Sequence, residues 1–309
     1  MMRYASTIQT SWDWRAAANF IFGGTGSALL AASAWTDPAS AVWFSAVLLG
    51  AALMGGGLTA VWLEIGRPWR AANVMLKPQN SWMTREAYVA ATAFVLVAAA
   101  LPVRWSWLAP ALGVVGLTFL FCQARILHAS KGVPAWHEAS LQPLILTTGL
   151  TEGAAMLLLV QVVVSQDTRV SSLALLALLP LRLAAWHWYR KTLLAADPPK
   201  QVAAALPGLG SRFALPGHAL PLALLILGGI APLIGFPASI AAAFLALLSG
   251  WYFKLNLVTR LARVQGYGLG TLKRGHPLAR TGHTLVSEQS LRLRRTRQAN
   301  SNTPRSTNA

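Results

Sequence analysis

Apolar residues arrive along this chain in long, nearly unbroken runs, without the strict alternation that would mark half-buried strands. A hydrocarbon layer about 30 Å thick takes about 20 mostly apolar residues per helix, and eight runs come to that length. They cover residues 16–36, 40–63, 86–103, 107–127, 141–164, 170–189, 217–235 and 237–259. The pattern predicts an all-α, polytopic membrane helix bundle of about eight transmembrane helices. Pro180 falls inside the sixth run, where a membrane helix accepts it as a kink if neighbours satisfy the freed carbonyl. Runs seven and eight are joined by little more than Gly235, Phe236 and Pro237, which predicts a tight hairpin. From about residue 265 the chain turns basic and polar. Residues 1–264 therefore read as a transmembrane anchor domain and 265–309 as a basic, disordered cytoplasmic tail.

Composition agrees with a lipid environment. Of 309 residues, 55% are hydrophobic and 11% charged, whereas a soluble domain carries about a quarter charged residues. The 26 Lys and Arg exceed the 9 Asp and Glu to give a net charge of +17, and their placement matters more than their number. All but Arg104 and Arg169 fall in the terminal segments, in the even-numbered connections or in the span ends that adjoin them. The positive-inside rule then places both termini and those connections in the cytoplasm. Charge distributed in this way reads as topology and attraction to anionic lipid, and no nucleic acid partner is expected. The single cysteine, Cys122, excludes an intramolecular disulfide framework and a Cys-ligated iron–sulfur cluster within the chain. The N-terminal segment has no short apolar core followed by a small-residue cleavage site, so no removable signal peptide is expected.

Ionisable groups at membrane depth are costly and mark function or specific pairing. Glu152 lies eleven residues into the fifth run, roughly 16 Å deep, and Arg182 in the sixth run lies about 12 Å from the same boundary. These depths allow a Glu152–Arg182 ion pair, either as a lock between two spans or as part of a proton path. The second connection is denser in polar groups. From Leu63 to Glu86 it reads LEIGRPWRAANVMLKPQNSWMTRE, with Glu64 and Glu86 at its two ends and Arg67, Arg70 and Arg85 around them. A quinone headgroup needs a hydrogen-bonding group at each carbonyl and a group able to exchange protons, which an interfacial carboxylate flanked by arginine can provide; Glu64, Arg67, Arg85 and Glu86 are the candidate residues. The same segment also suits a charged cytoplasmic turn, and the residues alone leave both readings open. His128, His187 and His218 lie toward cytoplasmic ends, and none sits deep in a span as b-haem ligands do, so haem is not expected. No metal site or catalytic side chain is expected either. The glycine sets at 23, 24, 26 and at 55–57 predict close helix packing.

The run Leu63–Arg70 (LEIGRPWR), followed by Ser81–Glu86 (SWMTRE), resembles the membrane anchors of molybdoenzyme complexes. It is similar to the DMSO reductase anchor family (DmsC-like) and its NrfD and polysulfide reductase relatives. The N-terminal Ser11–Ser27 also resembles the membrane subunit of phenylacetyl-CoA:acceptor oxidoreductase. The resemblance implies a multi-pass subunit of a bacterial inner membrane that carries no redox centre of its own. It would dock a four-cluster ferredoxin-like iron–sulfur subunit and, through it, a molybdopterin catalytic subunit, and would exchange electrons with ubiquinone or menaquinone. Carried over by position, Glu86 matches the family's acidic residue implicated in quinol binding. Glu64 stands where the motif has histidine, and Gly66, Arg67 and Pro68 match the part that shapes the loop. With that loop cytoplasmic, the redox partners would dock on the cytoplasmic face. Two other classes stay open on the sequence: a secondary transporter using Glu152 and Arg182, and a purely structural anchor.

Overall fold

The computed structural model describes residues 4–64, 75, 78–102 and 105–267. The first span is one helical rod in three parts: α1 (Trp14–Ala18), a π-helical turn (Asn19–Gly23) and α2 (Gly24–Ser33). Then follow α3 (Ala41–Glu64), α4 (Trp82–Ala100), α5 (Leu108–Ala129), the single turn α6 (Pro134–His137), α7 (Leu141–Val163) and α8 (Arg169–Ala195). The last part comprises α9 (Lys200–Ala214), a second π-helical turn (Leu215–Ala219), α10 (Leu220–Ile230) and α11 (Pro232–Thr259). Seven helical stretches among the described residues are long and apolar enough to cross a membrane, with α9 and α10 counting as one. The three-part rod from Trp14 to Ser33 is not among those seven and stands as the candidate for the expected eighth. This is the expected all-α membrane bundle.

The apolar runs become helices because, in hydrocarbon, each backbone group must find its partner within its own segment. Start signals are polar and local. Asp13 caps α1 by accepting from the Arg15 amide at 2.8 Å, and Ser81 caps α4 by accepting from the Thr84 amide at 3.3 Å. α8 runs unbroken through Pro180. At the centre, α2 is packed by α3, α5 and α7. That proximity rests on absent side chains: a Cβ at Gly26 would lie 2.5 Å from the Gly50 carbonyl oxygen, and one at Gly153 equally close to the Ala28 backbone. Large apolar side chains such as Val114, Val163 and Ile230 face outward, as lipid contact requires.

Two expectations need correction. The turn between the last two spans is at Ala231, so Gly235, Phe236 and Pro237 lie inside α11; Pro237 is tolerated near the start of that helix. The residues before 217 are also not a loop. α9 continues through Pro207 into the second π-helical turn, burying Val202, Leu206, Leu209 and Phe213 and leaving Lys200 and Arg212 on its other side. Past α11, a short strand β2 (Arg263–Tyr267) pairs with β1 (Tyr4–Ile8), and the Gln9 amide donates to the Ala262 carbonyl at 2.9 Å. The first and last described segments are thereby tied together. The remainder of the proposed tail, residues 268–309, lies outside the described residues.

Candidate functional site

The end of the bundle that holds the N-terminus is built from aromatic and amide side chains of the first span. Gln9 folds the arm back: its side chain donates to the Trp12 carbonyl at 2.6 Å and accepts from the Trp12 amide at 2.8 Å. This fixes Trp12, which stacks on Trp136 with ring centroids 4.9 Å apart. Asp13 and Arg15 then form a forked pair, with Arg15 Nη2 and Asp13 Oδ2 at 2.8 Å. Arg15 also donates through Nη1 to the Leu63 carbonyl at 2.9 Å, capping the end of α3. The guanidinium beside Asp13 holds its carboxyl below the ordinary carboxylate value.

Beneath this arm is a cavity of about 60 Å³ lined by Trp12, Asn19, Phe20, Glu64, Met83 and Glu86, with Ala16, Leu58, Val61 and Ile126 completing the walls. It is continuous with a more open hollow beside Ser11 and Ala87. Glu64 comes from the last turn of α3 and is partly exposed at the mouth, where its Oε1 accepts from the Asp13 amide at 3.2 Å. Glu86, one turn into α4, is buried at 5% exposure. Its Oε1 accepts from Asn19 Nδ2 at 3.3 Å, and the Gln123 amide of α5 also faces it. Gln123 Nε2 donates to the Asn19 carbonyl at 2.9 Å, a carbonyl within the first π-helical turn. The two carboxyls singled out in the sequence, 22 positions apart, thus share one largely apolar cavity.

The other expected residues divide. Arg85 does not join the carboxylates: consecutive helical residues point about 100° apart, and its guanidinium instead donates to the Pro78 and Gln79 carbonyls at 2.9 and 2.8 Å and lies over the Trp82 ring. Gly66, Arg67, Pro68 and Arg70 lie outside the described residues. The Glu152–Arg182 ion pair is replaced by another. Glu152 Oε2 binds Lys254 Nζ at 2.6 Å, and both side chains are fully buried. Thr25 Oγ1 donates to the same oxygen at 2.8 Å. Arg182, also fully buried, donates to His218 Nε2 at 2.9 Å, to the Ala246 carbonyl at 2.9 Å, to the Gly217 carbonyl and to Ser249 Oγ at 3.2 Å. His218 uses its other nitrogen on the Phe213 carbonyl, so both ring nitrogens are engaged. His128 stacks on His137 at a centroid distance of 4.8 Å, while His187 is exposed.

Sequence reasoning missed Trp12, Arg15, Asn19, Gln123 and Lys254. Asn19 carried a usable signal, as an amide inside an otherwise apolar run; so did Gln123. Lys254 had been grouped with the cytoplasmic basic residues, although it lies five residues inside the end of the last span.

What fold and cavity define together is a multi-pass helical membrane protein with an acidic, aromatic-lined pocket beside one end of its bundle. The chain belongs to the DMSO reductase anchor subunit (DmsC) family, whose pattern matches residues 20–196. That makes it a membrane anchor subunit of a molybdoenzyme, and membership implies association with the catalytic and iron–sulfur subunits of such a complex. No curated protein matches the chain. The matched region ends with α8, so α9 to α11, and with them Lys254, lie beyond it.

Proposed function

We propose that this chain is the quinone-reactive anchor of a molybdopterin oxidoreductase, passing electrons between a four-cluster iron–sulfur partner and the membrane quinone pool. The supporting observation is the shared cavity of Glu64 and Glu86. Its lining is of the kind found in small-molecule sites, mostly apolar with a few convergent polar groups. A planar quinone ring fits the donor set: Trp12, Phe20, Leu58 and Met83 supply flat or flexible apolar walls, and the carboxyls and the Asn19 amide supply hydrogen-bonding edges. A quinone bound there would take up two electrons and two protons, or release them. The chain's own part is to hold and move the protons. Glu86 would exchange a proton at its carboxyl oxygens inside the cavity, and Glu64, at the mouth, would exchange with water. Asn19 orients Glu86, and the Trp12 arm limits access of water.

The loop between α3 and α4 carries Arg67, Arg70, Lys77 and Arg85, which favours a cytoplasmic position by the positive-inside rule. Redox partners docked there would act on a cytoplasmic substrate and reduce the quinone pool. Family membership favours this anchor reading over a secondary transporter. Substituting Glu86→Gln in the assembled complex should lower quinone-linked electron transfer about a hundredfold, in the range of a positioned proton-transfer group, while activity with an artificial soluble acceptor stays intact. Unchanged quinone turnover would remove Glu86 from the site.

A further inference from the structure

The buried polar groups do not end at Glu86. Asn19 Oδ1 and Gln123 Nε2 both border Gly23, at 2.9 and 3.0 Å from where its Cβ would be. One residue deeper, Lys254 Nζ and Gln123 Oε1 border Gly24 in the same way, at 2.7 and 2.8 Å. The two glycines thus form a floor over which Asn19, Gln123 and Lys254 succeed one another, the last two within reach of a single bridging water. Lys254 then meets Glu152. Three acceptors along this seam, Asn19 Oδ1, Gln123 Oε1 and Glu152 Oε1, are buried without a hydrogen-bond partner. A merely structural polar seam would be expected to satisfy them.

The charges of the seam suggest why. Glu152 from α7, Arg182 from α8 and Lys254 from α11 are all fully buried, and Arg182 is close enough for its charge to be felt at both of the others. Two buried cations therefore share one buried anion, with neutral partners from the rest of the shell: Thr25, Gln123, Ser249 and His218. If Lys254 loses its proton, Glu152 still has Arg182 as its counter-charge. Lys254 is the one member of the trio that can change charge and leave a balanced pair behind.

We infer that Lys254 exchanges a proton with Glu86, and that the Glu152–Lys254 pair is an internal proton store for the cavity. The inference rests on the quinone reading for its purpose but not for its chemistry. After Glu86 has given up its proton, an N–H bond of the Lys254 ammonium breaks. The proton crosses by way of water held between Lys254 and Gln123 and along the polar seam past Asn19, and an O–H bond forms on Glu86. Lys254 is left as a neutral amine, with Arg182 balancing Glu152. A proton entering from the mouth of the cavity later restores the ammonium. No electron moves in these steps, and the reverse order serves quinol oxidation.

The test uses the complete complex with Lys254→Arg, which keeps the ion pair but cannot release a proton, and with Glu152→Gln/Lys254→Met, which removes both charges together. The first readout needs no quinone: the infrared carbonyl stretch of protonated Glu86, assigned by its loss in Glu86→Gln. As the pH is raised the band should persist in the wild type, where Lys254 resupplies Glu86, and should be lost at a lower pH in Lys254→Arg, which has no proton to give. The second readout is quinone-linked turnover, expected to fall about a hundredfold in both variants with the artificial-acceptor activity retained. A wild-type pH dependence of the band in Lys254→Arg, or wild-type turnover in the double variant, would reduce the pair to a structural lock and overturn the inference. A band lost at lower pH in Lys254→Arg, in a complex whose wild type shows no turnover with any quinone, would sink the quinone reading and leave the proton exchange standing.

Discussion

Arg85 and Glu86 are consecutive, yet one holds a loop and the other a cavity. Helical rotation alone separates them, so proximity in sequence is a poor guide to which charged groups cooperate. Arg15 takes the place beside the acidic pocket that Arg85 was expected to fill. Its fork onto Asp13 gives a pH dependence with a definite sign. Asp13 titrates below its ordinary value of 3.8 when folded, so its contribution is complete above that pH. It is lost as pH falls through the lower, folded value. Hydrogen exchange should therefore show the amides of the 9–18 segment protected at neutral pH and opening in acid. Asp13→Ala should exchange several-fold faster already at neutral pH; exchange equal to the wild type would show that the arm is held by Gln9 and Trp12 alone. Glu64 and Glu86 were legible from the sequence because both sit at ends of an otherwise apolar pattern. Lys254 was not, because a basic residue near a span's end fits the positive-inside rule, and its partner is 102 positions away.

At the scale of the helices, the two π-helical turns each fall where polar chemistry enters the bundle. The first carries Asn19, and the second turns the Gly217 carbonyl and His218 toward Arg182. A π-helical turn re-aims side chains and backbone groups, and such turns are frequent at functional sites. Hydropathy detects the spans around them and cannot detect the extra residue. The same blindness hid α9, since Pro207, Gly208 and Gly210 imitate a connector while Val202, Leu206 and Phe213 are buried one above another. Glycine contacts are where the helix packing can be tested. Gly153→Val would press into the Ala28 backbone and should destabilise the protein by about 1–3 kcal/mol, whereas Gly56→Ala, with nothing within 4 Å of its Cβ, should change stability by less than about 0.5 kcal/mol. Thermal unfolding in one detergent compares them. Equal effects would refute the close approach of α2 and α7.

For the whole molecule, seven of the eight expected spans are long and apolar enough to cross a membrane among the described residues, and the expected orientation rests on the basic residues in the connections. The native cysteine is buried, so cysteines introduced one at a time will report cleanly on sidedness. Gln79→Cys and Lys131→Cys should be labelled by an impermeant reagent only in inside-out vesicles, and Gln166→Cys only from the outer face. The opposite pattern would place the redox partners on the other side of the membrane and remove the basis for a cytoplasmic substrate.

The Glu152–Lys254 pair also has a consequence for biosynthesis. Glu152 is made 102 residues before its partner, an interval on the order of 5–20 s at ordinary translation rates. For that time the emerging fifth span carries a carboxyl into the membrane with its lysine still inside the ribosome. The early spans therefore cannot settle until the last one arrives. When it does, β2 meets β1 and the Trp12 arm receives its anchor beside Val258 and Ala262. β1 and β2 thus join only after the last span is made, and the arm over the pocket receives its anchor at that step.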